Sequence, residues 1–170
     1  LSGPMGRLVK ARAYPDATFH DVTAPNADTL YTMGWLDLAE EPWILTVPDS
    51  EGRYFLLPIL SGWTEVFEAP GTRTTGDGPQ KFVISGPGWS GEIPAGVTEL
   101  KSPTSLVWVL GRLSCSGTPE DYQATHAMQD AMEVVPLSAY GTSYSPPPAA
   151  VDPLVDMATP VPEQVSTMDA

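Results

Sequence analysis

The sequence predicts a mostly-β fold with one late α-helix, and three observations carry that prediction. The 170 residues include 19 Pro and 15 Gly, a proline content that opposes long helices and favours short strands joined by shaped turns. The run from Gly71 to Pro94 holds a hydroxyl-rich turn, one apolar strand and a second turn, Gly86-Pro87-Gly88-Trp89. Glycine and proline interrupt it too often for a helix. Elsewhere apolar and polar residues alternate over short stretches, the period of a strand with one buried face.

Residues 1–24 show no strong period and carry three of the chain's few cations, Arg7, Lys10 and Arg12, so they read as an extended arm or edge strand. The domain proper is expected over 25–137. It begins at Asn26-Ala27-Asp28-Thr29, where Asx side chains accept backbone N–H bonds and close a tight turn. From Leu30 the pattern alternates, with Tyr31, Met33 and Trp35 on one face. Trp43 to Val47 forms a second strand, stopped by Pro48. The Asp49-Ser50-Glu51-Gly52 turn predicts a hairpin into a third strand, Arg53 to Leu60, in which Pro58 implies an edge or a bulge. Lys81–Ser85 and Ser105–Leu113 are further strands, and Cys115 is expected to end the last of these in a packed position.

A helix is expected over 119–135. Thr118 is its N-cap, Pro119 fits the first position, and Glu120 and Asp121 complement the helix dipole. Tyr122, Thr125, Met128, Met132 and Val135 recur at helical spacing, and Pro136 is the expected stop. Residues 138–170 change in composition. Ser145-Pro146-Pro147-Pro148-Ala149-Ala150 reads as a linker, and Thr159 to Val165 as a helix begun toward a further, missing C-terminal domain.

Composition excludes several functions. With 8 Lys+Arg against 21 Asp+Glu the net charge is −13. Such a surface repels phosphate backbones, so nucleic acid is excluded as a partner. An acidic surface of this kind is either simply solvated or faces a cation or a basic partner. A single cysteine allows no internal disulfide and no CxxC pair. No apolar run approaches a membrane span. The first residue is Leu1 rather than Met, which reads as a truncated N-terminus and leaves the compartment open.

An ordered set of short motifs is similar to the family known as domain of unknown function 1254. These are N-A-D-T-L-Y at Asn26 to Tyr31, W-L-D-L at Trp35 to Leu38, V-P-D at Val47 to Asp49 and G-R-Y at Gly52 to Tyr54. G-T-R-T-T-G at Gly71 to Gly76, G-P-G-W-S-G at Gly86 to Gly91, S-P-T at Ser102 to Thr104 and L-G-R at Leu110 to Arg112 complete it. The resemblance implies a jelly-roll-like β-sandwich, a second domain downstream and assembly into homo-oligomers. It implies no reaction and names no cofactor. One departure stands out: relatives often carry an acidic residue just before the tryptophan of W-T, where this chain reads Leu60-Ser61-Gly62-Trp63.

Candidate chemistry centres on Asp28 and Arg73. Asp28 is either part of an Asx turn or a base at the mouth of the sandwich. His20 and Asp21 lie near it in sequence but lack trustworthy metal-ligand spacing, so no metal site is assigned. Arg73, flanked by threonines including Thr75, offers a five-donor fork for a carboxylate or phosphate, or else bridges loop carbonyls or an internal carboxylate such as Asp28. Trp63 and Trp89 lie beside glycines near turns, where a flat ring can stack on a ligand or plug the end of a sandwich; Tyr31 and Tyr54 are similar cases. Trp35 and Trp108 lie mid-strand and are expected in the core. Gly88-Trp89-Ser90-Gly91 fails the nucleophile-elbow spacing because position 92 is Glu, and no dinucleotide fingerprint follows Gly86. His126 is expected on the solvated face of the helix. Two functions follow as expectations: a structural, assembly-forming half of a two-domain homo-oligomer, or a small-molecule-binding or hydrolase/lyase domain for a polar, anionic substrate.

Overall fold

A computed structural model describes residues 3–19 and 24–146, together with the single positions 162, 166 and 167. Two strands organise the molecule. In β2 (Thr29–Asp37) Leu30, Thr32, Gly34 and Leu36 point inward and are buried, while Tyr31, Met33 and Trp35 face out. In β9 (Leu106–Ser114) Val107, Val109, Gly111 and Leu113 do the same. The two pair antiparallel along their whole length, from Thr29 opposite Ser114 to Asp37 opposite Leu106. The predicted alternation of β2 is therefore the actual division between core and surface.

Around this pair a first sheet is built in the order β1-β2-β9-β5-β6, from β1 (Val9–Lys10), β5 (Ile59–Ser61) and β6 (Val66–Glu68); β4 (Phe55–Leu56) also pairs with β9. The N-terminal arm thus supplies an edge strand, as one of the two expectations held. The second sheet runs β10-β3-β7-β8, from β10 (Glu133–Pro136), β3 (Trp43–Val47), β7 (Gln80–Ser85) and β8 (Thr98–Lys101), with β7 and β8 parallel. The chain is a mostly-β, two-sheet sandwich.

The inner faces meet in one core. Leu36, Leu45, Phe55, Ile59, Ile84, Val109 and Leu113 are each 0% exposed and belong to a single cluster drawn from both sheets. Each such side chain stabilises the fold by about 1.5–3 kcal/mol relative to exposure. Phe82-Val83-Ile84 in β7 is apolar without alternation because both faces of the second sheet are covered. Its outer residues Ile44, Val83 and Val135 pack under Val97, Leu137, Tyr140 and Tyr144.

Helix α1 (Pro119–Ala131) starts as expected: the Thr118 hydroxyl accepts from the Asp121 amide, Pro119 opens the helix, and Glu120 and Asp121 occupy the first turn. It ends earlier than expected. Met132 is already extended, and Glu133–Pro136 pairs with β3, Val134 opposite Leu45 and Val135 opposite Ile44. β-Branched valines completing a sheet outweigh the continued helical spacing.

Three further corrections concern pairing. Asp49–Gly52 does not close a hairpin: β3 lies in the second sheet and β4 in the first, so the turn carries the chain across the sandwich. The expected third strand is broken into β4 and β5 at Leu57-Pro58, with an irregular register at Ile59/Leu60, and β5 is interior because β6 covers its other side. Trp35 and Trp108 are not core residues. They are directly opposed on the outer face of the first sheet and stack at 5.2 Å with their planes 5° apart. β8 had no sequence expectation, and β10 lies where the helix was expected to run on to Val135. His20, Asp21 and the expected helix start at Thr159–Val165 fall wholly or almost wholly outside the described residues.

Candidate functional site

The turn before β2 is an Asx turn. The Asn26 side-chain oxygen accepts from the amides of Asp28 and Thr29, both at 2.9 Å, and from the Thr29 hydroxyl. Asp28 contributes its backbone carbonyl, which accepts from the Cys115 amide, and its carboxylate is on an exposed residue. Cys115 follows β9 directly and is buried, as expected.

Arg73 is exposed, and its guanidinium lies over the Tyr54 ring at 5.6 Å. The threonines around it hold the loop rather than converge on it. Thr72 accepts from the Phe55 amide, Thr75 accepts from the Gly71 amide, and Thr74 donates to the Ala69 carbonyl. Gly71 is required because a β-carbon there would stand 2.7 Å from the Phe55 carbonyl oxygen. Among the described residues, Asp28 and Arg73 share no ion pair.

The remaining aromatic candidates divide. Trp63, at the β5–β6 turn, is 79% exposed. Trp89 is half-buried and lies across its own loop, so close that a β-carbon on Gly91 would meet its ring at 2.5 Å. Tyr31 is on the outer face of β2 with the Arg112 guanidinium 5.0 Å from its ring. Tyr54 is 39% exposed.

Two open clefts flank the helix. One, of about 630 Å³, lies between the Pro48–Tyr54 segment and α1 and includes Tyr54. The other, of about 650 Å³, includes Thr75, Lys81 and Tyr140, and the two share Pro48 and Ala131. Neither is lined by Asp28, Arg73, Trp63 or Trp89.

Two side chains that sequence reasoning passed over do most to hold this end together. Arg53 donates to the Ser114 carbonyl at 2.6 Å and to the Asp121 carboxylate at 2.5 Å. That bond, with a second from the Ser116 amide, holds the Asp121 carboxyl well below the usual range. Gln129 is 0% exposed and its amide donates to the carbonyls of Ala11 and Tyr31 and to the Thr32 hydroxyl. On the arm, burial, with Cys115 beside it, pushes the Tyr14 phenol up to about 12, and its hydroxyl donates to the Cys115 carbonyl. His126, expected to be solvated, is half-buried and bonds the Arg12 carbonyl at 2.7 Å. Only the place of Gln129 beside Met128 and Thr125 on the helix could have signalled its role.

Among the described residues no group of three His, Cys, Asp or Glu is placed to hold a metal ion, and no helix is long and apolar enough to cross a membrane.

Comparison with known proteins gives a family and a fold. Residues 5–136 match the family model described as Protein of unknown function (DUF1254). The crystal structure of the VPA0106 protein from Vibrio parahaemolyticus is similar at 30% identity with a TM-score of 0.68, over 89% of this chain and 35% of that one. This chain therefore spans about a third of that relative's length. An uncharacterized protein from Burkholderia cenocepacia is similar at 14% identity and a TM-score of 0.44, over 76% of this chain and 36% of that one. No curated protein matches the chain.

Proposed function

This chain belongs to the family of proteins of unknown function DUF1254, and from that premise we propose that it is a structural, assembly-forming domain. In this reading it is the jelly-roll-like half of a two-domain homo-oligomeric protein. The observation that supports it is the unequal finish of the two sheets. The second sheet's outer residues Ile44 and Val83 are 0% exposed under the chain's own Leu137, Tyr140 and Tyr144. The first sheet presents the Trp35–Trp108 pair with Met33 and Leu110, flanked by Leu106 at 38% and Val66 at 56% exposed, and Trp63 at 79%. A contiguous apolar face of this kind is a docking surface. Its occupant in this reading is the downstream part of the same polypeptide, in keeping with a relative of which this chain covers 35%.

Hydrogen exchange tests the reading. In the parent protein the amides of β6 and the Gly62–Glu65 turn exchange more slowly than in this domain alone, and Trp63→Ser in the parent restores fast exchange there. Equal exchange in parent and isolated domain defeats it. Sizing of the parent tests self-association, which a monodisperse monomer excludes.

The alternative reading, a binding or hydrolase/lyase site for an anionic organic substrate, draws on one observation: Tyr54, under Arg73, lines the first cleft and Thr75 the second. In that reading Arg73 would anchor the anion and Asp28 would serve as base, although neither residue lines a cleft.

A further inference from the structure

The place where the chain passes Pro146 bears on what covers the outer face of the first sheet. Leu137, Tyr140 and Tyr144 lie over the second sheet, and Tyr144 meets the Trp43 ring edge-on at 6.1 Å. Two residues later the chain has reached the flank of the sandwich, where the Arg7 guanidinium donates to the Pro146 carbonyl at 2.8 Å. Arg7 belongs to the arm that edges the first sheet. Its neighbour Gly6 donates to the Trp35 carbonyl at 2.8 Å, and Val9 is paired with Met33. The residues after Pro146 therefore start beside β2, the strand whose outer face carries Trp35.

The nearer half of that face is the Trp35–Trp108 stack with Met33 and Leu110, all half-buried. On the same face stands Arg112, its guanidinium over the Tyr31 ring and without a carboxylate partner among the described residues. The sequence that follows Pro146, outside the described residues, complements these groups. Pro147-Pro148-Ala149-Ala150 spans about 12 Å as polyproline II, and β1 lies two strand spacings, about 10 Å, from β9. Val151-Asp152-Pro153-Leu154-Val155-Asp156-Met157 then alternates. Extended, it puts Val151, Pro153, Val155 and Met157 on one side and both aspartates on the other.

We propose that residues 151–157 form a strap across β2 and β9, with their apolar side on Met33, Trp35, Trp108 and Leu110 and an aspartate at Arg112. The proposal rests on the reading of the first sheet as a docking face, and it names the first stretch of downstream polypeptide to occupy that face. β6 and Trp63 stay clear of the strap and are left to a more distant part of the polypeptide. Pro153 has no amide to donate, so the strap packs by its side chains and adds no strand to the ladder. Burial of apolar area is what holds it. The Arg112 pair, at a half-buried residue, mainly sets where along the face it lies.

Photo-crosslinking in the full chain tests this, with benzoylphenylalanine placed at Val155 in one protein and at Leu154 in another. Neither position lies in the described core, so both proteins fold. The Val155 probe is expected to form adducts within one chain, mapped by mass spectrometry to peptides holding Met33–Trp35 or Trp108–Leu110. The Leu154 probe, on the opposite side, loses most of that yield. Arg112→Gln lowers the Val155 yield about two- to fivefold, the worth of one exposed ion pair. The proposal is overturned if the Val155 adducts map elsewhere or join two chains, if both probes give equal yields, or if Arg112→Gln changes nothing. Missing adducts beside slowed exchange of β6 in the parent protein defeat the strap and spare the docking face. Missing adducts with equal exchange defeat both.

Discussion

Gln129 offers the sharpest test of how this sandwich is closed. Its side-chain nitrogen donates to the Ala11 carbonyl at 3.1 Å, the Tyr31 carbonyl at 3.0 Å and the Thr32 hydroxyl at 3.2 Å, while its oxygen accepts from Arg12 at 3.1 Å. Helix, arm and first sheet meet at this one amide. Gln129→Leu keeps the volume but strands these acceptors. The Tyr31 carbonyl retains the Ala11 amide at 2.8 Å, so two groups lose the amide donor, the Ala11 carbonyl and the Thr32 hydroxyl. At about 1–3 kcal/mol per buried group left unsatisfied, the expected loss is about 2–6 kcal/mol, a large share of a typical domain's ~5–15 kcal/mol. Gln129→Glu is more informative. It turns a donor into a carboxylate oxygen facing three other oxygens, and Arg12, engaged with Asp130, sits on the exposed side. Folding therefore raises the introduced carboxyl's pKa above its unfolded value of about 4.3. The penalty is full above the folded pKa and is relieved as pH falls through it, because the protonated acid regains a donor. Urea titrations followed by tryptophan fluorescence, at about pH 7 and about pH 4.5, measure the gap between variant and wild type. That gap narrows at the lower pH. If the variant matches wild type at neutral pH, or the gap is the same at both, the clamp has no such role.

Two other expectations follow from packing and charge. Gly111→Ala places a methyl 2.7 Å from both the Thr32 carbonyl oxygen and Leu57 at the centre of the first sheet, and a cost of about 1–3 kcal/mol in chemical denaturation is expected; a neutral result would mean that β2 and β9 are not as closely set as described. Asp121, whose folded pKa is depressed by Arg53 and the Ser116 amide, contributes stability that is present above its unfolded pKa of about 4 and lost as pH falls toward the folded value. Asp121→Asn is thus destabilised at neutral pH, with the difference shrinking in acid, and a difference independent of pH contradicts it.

Much of the candidate site was visible residue by residue but not as an arrangement. The Asn26 turn, the Thr118 cap and the alternation of β2 could be read directly, because each depends on side chains within a few positions of one another, whereas which face of β2 is inward could not, since Trp35 was expected in the core and lies on the outer face. Arg73 was singled out for its donors, yet its neighbour is a ring, Tyr54, from a different strand region. Ser50 was read only as a turn residue. That its turn lies across a cleft from a helix some seventy positions later follows from the turn's crossing between sheets, which no local pattern records.

The amino-acid order alone determined that most of the longer stretches extend, that β2 has two alternating faces and where the helix begins. These follow from period, turn chemistry and capping, all short-range effects. Tertiary structure decided the rest. It put β3 and β4 in different sheets, ended the helix at Ala131 so that Val134 and Val135 could pair with β3, and turned the Trp35–Trp108 pair outward. The reason is that strand partners and burial are set by competition among distant segments for one core, and a buried pairing outweighs the few tenths of a kcal/mol per residue that separate local propensities.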